Sequence, residues 1–379
     1  MLKIKNYTNI SISVFFMLFF FLGLAIGGFH LPPYDIIHDI YLEIFPKKIS
    51  NNQIIEIDIK ELDLKEFYTI NNESDLIHKR SSMINYIWKQ DELPFEKIPS
   101  IVEKNVLDER FNDMENLERI ERLISVMDYG VDSKIYLFHA KNSNNELVIY
   151  HQGHLGSFEL GKKTIQYFLN NNYSVMAFSM PLKGDNEKPM VKIPKLGNLK
   201  LDSHNDFIFI QSDNFSPLKF FLNPITESLN YVQEEYGFKS VKMIGISGGG
   251  WTTILYSAVD PRISQSYPVA AGTPLVLRFM NEKDLGDYEQ NLPDFYKDFN
   301  YIDLYMMGSN GEGRNQIQFF NGNDPCCFSG NILETALREI ELEIKEKNIG
   351  KFKIFIDKEN DEHSISDLSL KVILNDFDT

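Results

Sequence analysis

The sequence predicts an α/β fold with a mostly parallel sheet flanked by helices, and two observations carry that expectation. From about residue 134 to the end, short apolar runs rich in β-branched and aromatic residues alternate with amphipathic stretches. Polar loops then follow the apolar runs, which is where such sheets keep their working residues, beyond the strands' carboxyl ends.

In chain order, KIYLFHA (134–140) and ELVIYHQG (146–153) read as strands joined by a polar turn. GKKTIQYFLNNN (161–172) reads as a helix and YSVMAFSMP (173–181) as a buried strand. After a long loop come the helix PITESLNYVQEEYGF (224–238) and the strand SVKMIGIS (240–247). SQSYPVAA (264–271), QIQFFNGND (316–324) and KFKIFID (351–357) continue the strands. ILETALREIELEIKE (332–346) and a last helix from about Ser366 supply the remaining cover.

The chain before this region is of a different kind. Residues 10–29, ISISVFFMLFFFLGLAIGGF, carry no charge, and twenty helical residues at about 1.5 Å each span a bilayer core. Lys3 and Lys5 precede the run, which keeps the start of the chain on the cytoplasmic side. The expectation is a membrane anchor over residues 1–30, with a cleaved signal peptide (small residues Ala25 and Gly27) as the alternative. Either reading sends the rest of the protein across the membrane. Residues 31–130 read as an accessory or stalk region. Within it, QIIEIDIK alternates Ile55, Ile57 and Ile59 as a half-buried strand would, and Leu117, Ile120, Ile124 and Met127 fall at helical spacing.

Composition excludes some functions. Hydrophobic residues make up 43% of 379, enough for one large domain of roughly 200–250 residues and extra segments. A net charge of −16 argues against a nucleic-acid partner, which needs a basic patch. The two cysteines, Cys326 and Cys327, are adjacent and build neither a disulfide framework nor a thiolate metal site. They are read as two buried thiols, with a strained bond between neighbours as the alternative.

The chemistry centres on GISGGGW (245–251). Ser247 follows an apolar strand and precedes the apolar helical run WTTILYSAV, so it stands at a sharp strand-to-helix turn. Side chains beside such a turn collide with the neighbouring elements, and glycine removes the collision. The pattern Gly245-Ile246-Ser247-Gly248-Gly249 is a nucleophile elbow, G-x-S-x-G. A serine hydroxyl needs a base, and His363 lies in a polar loop directly after KFKIFI. That base needs a carboxylate, and Asp324 follows the preceding strand, in a turn stiffened by Pro325. Asp357, Asp361 and Glu362 compete for the role but lie close to His363 along the chain. His204 in DSHNDF reads as a surface loop histidine, with pocket lining as the alternative, and Trp251 as core. Phe279, Tyr288, Phe295, Tyr296, Phe299 and Tyr305 crowd residues 276–312, where an aromatic lid is possible.

On the elbow, the acid turn at Asp324 and the late His363, residues 131–379 resemble the α/β-hydrolase superfamily. With the downstream DPRI, GISGGGWTT is most similar to bacterial esterases of the acetyl-xylan-esterase and dienelactone-hydrolase kind. The resemblance implies acyl transfer to Ser247, with hydrolysis of the acyl-enzyme by water. It implies main-chain oxyanion donors at Gly248 and in HQGHLGS (151–157), where Gln152 departs from the family's His-Gly loop and leaves Gly153 or His154 as the second donor. It implies no metal and no organic cofactor. The expected function is ester hydrolysis, with an acylated envelope or extracellular carbohydrate as substrate. A serine peptidase of the same fold and a catalytically silent anchored scaffold are the alternatives.

Overall fold

Period-two burial on single strands organises the fold. On β4 (Leu147–His151), Leu147 and Ile149 join one hydrophobic core, while Val148 and Tyr150 join the other. A strand apolar on both faces needs helices on both faces, and the protein supplies them. The computed structural model describes residues 64–278, 286–326 and 328–378. The apolar run at 10–29, the alternating isoleucines at 55–59, Phe279 and Cys327 lie outside the described residues.

Nine strands form one sheet in the order β1-β2-β3-β5-β4-β8-β9-β10-β11. These are β1 (Ile101–Glu103), β2 (Leu117–Val126), β3 (Asp132–Ala140), β4, β5 (Ser174–Phe178), β8 (Val241–Ile246), β9 (Ile263–Val269), β10 (Asn315–Asn321) and β11 (Phe352–Asp357). β6 (Met190–Ile193) and β7 (Gly197–Lys200) form a separate antiparallel pair. The run from β5 to β11 is parallel, and β1, β2 and β3 join antiparallel. The strand order reverses about β4, which opens a crevice at the carboxyl ends of its neighbours.

Seven helices of nine residues or more cover the sheet among the described residues: α1 (Glu73–Trp88), α2 (Lys162–Asn170), α3 (Lys219–Glu235), α4 (Gly248–Val259), α5 (Tyr301–Ser309), α6 (Gly330–Lys347) and α7 (Asp367–Asp376). Ile165 and Phe168 of α2 share a core with Leu370 and Ile373 of α7. The other face holds Met83 of α1, Leu222 of α3, Ile254 of α4, Leu304 of α5 and Leu337 of α6. No described helix is long and apolar enough to cross a membrane.

The described part of 31–130 is knit into these layers. It contributes β1 and β2 to the sheet, and Arg80 on α1 donates to the carbonyls of Ala258 (2.8 Å) and Met307 (2.9 Å). The helical spacing read at Leu117–Met127 is corrected: the segment is β2, paired with β3 from Arg119 to Val126. Ile120 and Leu123 turn to opposite cores, as residues an odd number apart on a strand must. Glu121, fully buried on β2, accepts a hydrogen bond from Tyr231 Oη (3.0 Å) and lies 3.2 Å from His139 Nε2. A helix would have lost the ladder to β3, and long-range pairing overrode a spacing that fits either element.

Candidate active site

The elbow is built by crowding. Ser247 adopts φ 56°, ψ −123° between β8 and α4, a backbone conformation that costs of order 1–3 kcal/mol in a non-glycine residue. Its N–H is held by the carbonyl of Val269 (2.9 Å), and its carbonyl accepts from Trp251 one turn along α4 (2.9 Å). A Cβ on Gly249 would stand 2.1 Å from the carbonyl oxygen of His151, and one on Gly245 would stand 2.1 Å from that of Gly249. These two glycines are demanded by the contact between β8, α4 and the end of β4.

The loop after β4 reaches the same point. A Cβ on Gly153 would lie 2.7 Å from Ser247 Cβ and 3.2 Å from its Oγ, so this backbone passes directly beside the serine. A Cβ on Gly248 would lie 2.4 Å from His154 Cε1 and 2.5 Å from its Nδ1. Ser247, Gly248, Gly153 and His154 are therefore neighbours. Gly248 is the first residue of α4, and its N–H has no carbonyl one turn back within the helix.

His363 and Asp324 also meet. His363 Nδ1 lies 2.8 Å from Asp324 Oδ2, although the residues come from loops after different strands. Asp324 is buried, and the N–H of Cys326 donates to its Oδ1 (2.8 Å). Cys326 is disulfide-bonded, which corrects the reading of free thiols. With Nδ1–H donating to a carboxylate, the other ring nitrogen, Nε2, is left as the acceptor. Nε2 has no hydrogen-bond partner among the described residues, and none joins His363 to Ser247. Gln152, Leu155, Ile246, His363, Ser364 and Ile365 all line one cleft of about 460 Å³.

Two histidines need separate account. His151 is buried and stacks on Phe178 at 5.8 Å, with its Nδ1–H donating to the carbonyl of Gln152 (2.9 Å). Burial pushes its pKa down to about 4, so the ring is neutral near pH 7. His204 is fully buried, which corrects the surface reading. Its Nε2–H donates to the carbonyl of Pro181 (2.8 Å), and its Nδ1 faces Glu289 Oε1 at 3.2 Å.

Glu289 was not visible in the sequence. It is fully buried and lies 2.7 Å from His154 Nε2, across 135 residues of chain. Burial favours its neutral form, but His204 and the hydrogen bond from His154 outweigh that and hold it well below the usual carboxylate range. Burial of His154 opposes its charge, yet the hydrogen bond and charge of Glu289 raise its pKa above the ordinary value. No local pattern could have announced Glu289, because a lone acidic residue in an aromatic-rich stretch carries no periodic signal. Trp251 is core, as expected, and its Nε1–H donates to Tyr296 Oη (2.6 Å).

No protein-family model and no curated protein matches this chain. Solved structures do. Acetyl xylan esterase 1 from Thermoanaerobacterium sp. JW/SL YS485 is 11% identical, over 79% of this chain and 92% of that one, with a TM-score of 0.53. The acetyl xylan esterase from Paenibacillus sp. R4 is 13% identical, over 82% and 95%, with a TM-score of 0.53. With its mostly parallel sheet, flanking helices and strand-to-helix elbow, the chain resembles the α/β-hydrolase esterases, and the fold is theirs.

Proposed function

We propose that this chain is a serine hydrolase of carboxylic esters. Ser247 attacks the acyl carbon, His363 Nε2 takes the hydroxyl proton and later returns it to the leaving alcohol, and Asp324 holds the ring in that tautomer. The main-chain N–H of Gly248, with that of Gly153 or His154, receives the developing oxyanion. The observation that carries this reading is the 2.8 Å contact of His363 with buried Asp324, in a loop that shares its cleft with the strand end bearing Ser247. The proposed proton path requires His363 Nε2 to come within hydrogen-bond reach of Ser247 Oγ when substrate binds, and catalytic hydrogen bonds of this kind often tighten only in the complex. The likeness in fold to acetyl xylan esterases supports an acetylated carbohydrate as the substrate class. The charge-free run at 10–29 supports a tether that keeps the enzyme outside the cytoplasm, against the envelope.

A fluorophosphonate probe and a panel of p-nitrophenyl esters of increasing chain length test the reading together. Labelling at Ser247 with fastest turnover of the acetyl ester is expected. Folded protein that takes no label at Ser247 would sink the proposal, and turnover of peptide but not ester substrates would replace it with a peptidase.

A further inference from the structure

Four side chains beside the elbow converge more tightly than an ion pair requires. His154 Nε2, His204 Nδ1, Asp287 and Glu289 each offer a donor atom, and these atoms lie within 4.8 Å of one another. His154 Nε2 stands 2.7 Å from Glu289 Oε1 and 3.5 Å from Asp287 Oδ2. His204 Nδ1 stands 3.2 Å and 3.7 Å from the same two oxygens. A tetrahedral zinc ion with bonds of about 2.0–2.1 Å to nitrogen and oxygen has donor-to-donor edges of about 3.3–3.4 Å. The observed spacings bracket that value.

Two independent features favour an ion over a closed network of hydrogen bonds. Glu289 is fully buried, and its second oxygen, Oε2, has no hydrogen-bond partner among the described residues. An orphaned carboxylate oxygen in a buried site costs stability unless a cation or donor meets it. His204 also spends its Nε2–H on the carbonyl of Pro181 (2.8 Å), which leaves Nδ1 facing the cluster. Histidines that bind metals hold the other ring N–H in this way. Two carboxylates and two neutral imidazoles leave no net charge around a divalent ion, and imidazole donors favour zinc over calcium or magnesium.

We propose that His154, His204, Asp287 and Glu289 bind one zinc ion beside the nucleophile elbow. With Nε2 on the ion, His154 carries its ring proton on Nδ1, the nitrogen that lies against Gly248. The ion thus ties residues 286–290 to the loop that lines the serine and fixes the orientation of His154. Its role is positioning, and the catalytic sequence above does not pass through it.

The test uses the untagged full chain in detergent, stripped with EDTA and then freed of chelator. Calorimetric titration with Zn²⁺, backed by elemental analysis of the dialysed protein, should give one ion per chain. Asp287→Asn, at a partly exposed position, should fold normally by circular dichroism and weaken Zn²⁺ binding more than about 100-fold. Glu289→Gln, which also costs stability, should weaken Zn²⁺ binding by a similar factor. Failure of the stripped chain to take up stoichiometric Zn²⁺, tighter binding of Ca²⁺ than of Zn²⁺, or wild-type affinity in folded Asp287→Asn would each overturn the proposal. Zinc uptake needs no ester turnover, so this inference and the esterase reading fail separately.

Discussion

The Asp324–His363 pair and the cluster of His154, His204, Asp287 and Glu289 both join imidazole to carboxylate, yet they are built for different ends. The first leaves one ring nitrogen unengaged at the edge of a cleft, with a single buried acid behind it. The second encloses its acid: Glu289 and His204 are fully buried, and Glu289 faces both rings. An open nitrogen can exchange a proton with a substrate, whereas an enclosed one can only hold position. On the proposed mechanism, proton transfer falls to the first assembly and support of the elbow to the second.

Substitutions can break this division at several strengths. If Ser247 is the nucleophile as proposed, Ser247→Ala should lower kcat for p-nitrophenyl acetate by roughly 10⁶-fold without changing the urea midpoint, because it removes a single oxygen. Asp324→Asn should cost roughly 10⁴-fold in kcat through the wrong tautomer of His363, again with little loss of stability. Glu289→Gln should invert that pattern, leaving kcat within about tenfold while destabilising by about 3 kcal/mol, since it strips a buried charge from its partners. Equal kinetic losses from the two acid substitutions would erase the distinction.

Gly249→Ala should destabilise by at least about 3 kcal/mol, because its Cβ meets backbone rather than a movable side chain. Urea unfolding reads that loss. The smallest effect belongs to His151. Its folded pKa lies below that of the unfolded chain, so the unfolded state binds the extra proton between about pH 6.5 and pH 4. Stability from this group is present above that window and is lost as pH falls through it, by up to about 3 kcal/mol. His151→Gln should flatten this part of the stability curve, and an unchanged slope would assign the acid sensitivity elsewhere.

Legibility in the sequence followed the range of the interactions. The parallel strands from β4 onward were readable because each is a short apolar run bounded by polar residues. The elbow was readable because crowding wrote its glycines next to the serine. β2 was misread because Leu117, Ile120 and Ile124 fit a helical stripe as well as a strand, and only pairing with β3 decides. The buried cluster was hidden altogether. His154 and Glu289 stand 135 residues apart, and nothing local to either residue reports the other.

The short strand at one border of the sheet bears on how these molecules tolerate one another. β1 is three residues long, and its Glu103 lies opposite Arg122 of β2, so the rim ends in charge. Few unpaired backbone groups remain there for a second chain to zip onto. Fusion of two sheets across this border is thereby disfavoured, whereas the opposite border, the six-residue β11, presents a longer row of backbone groups.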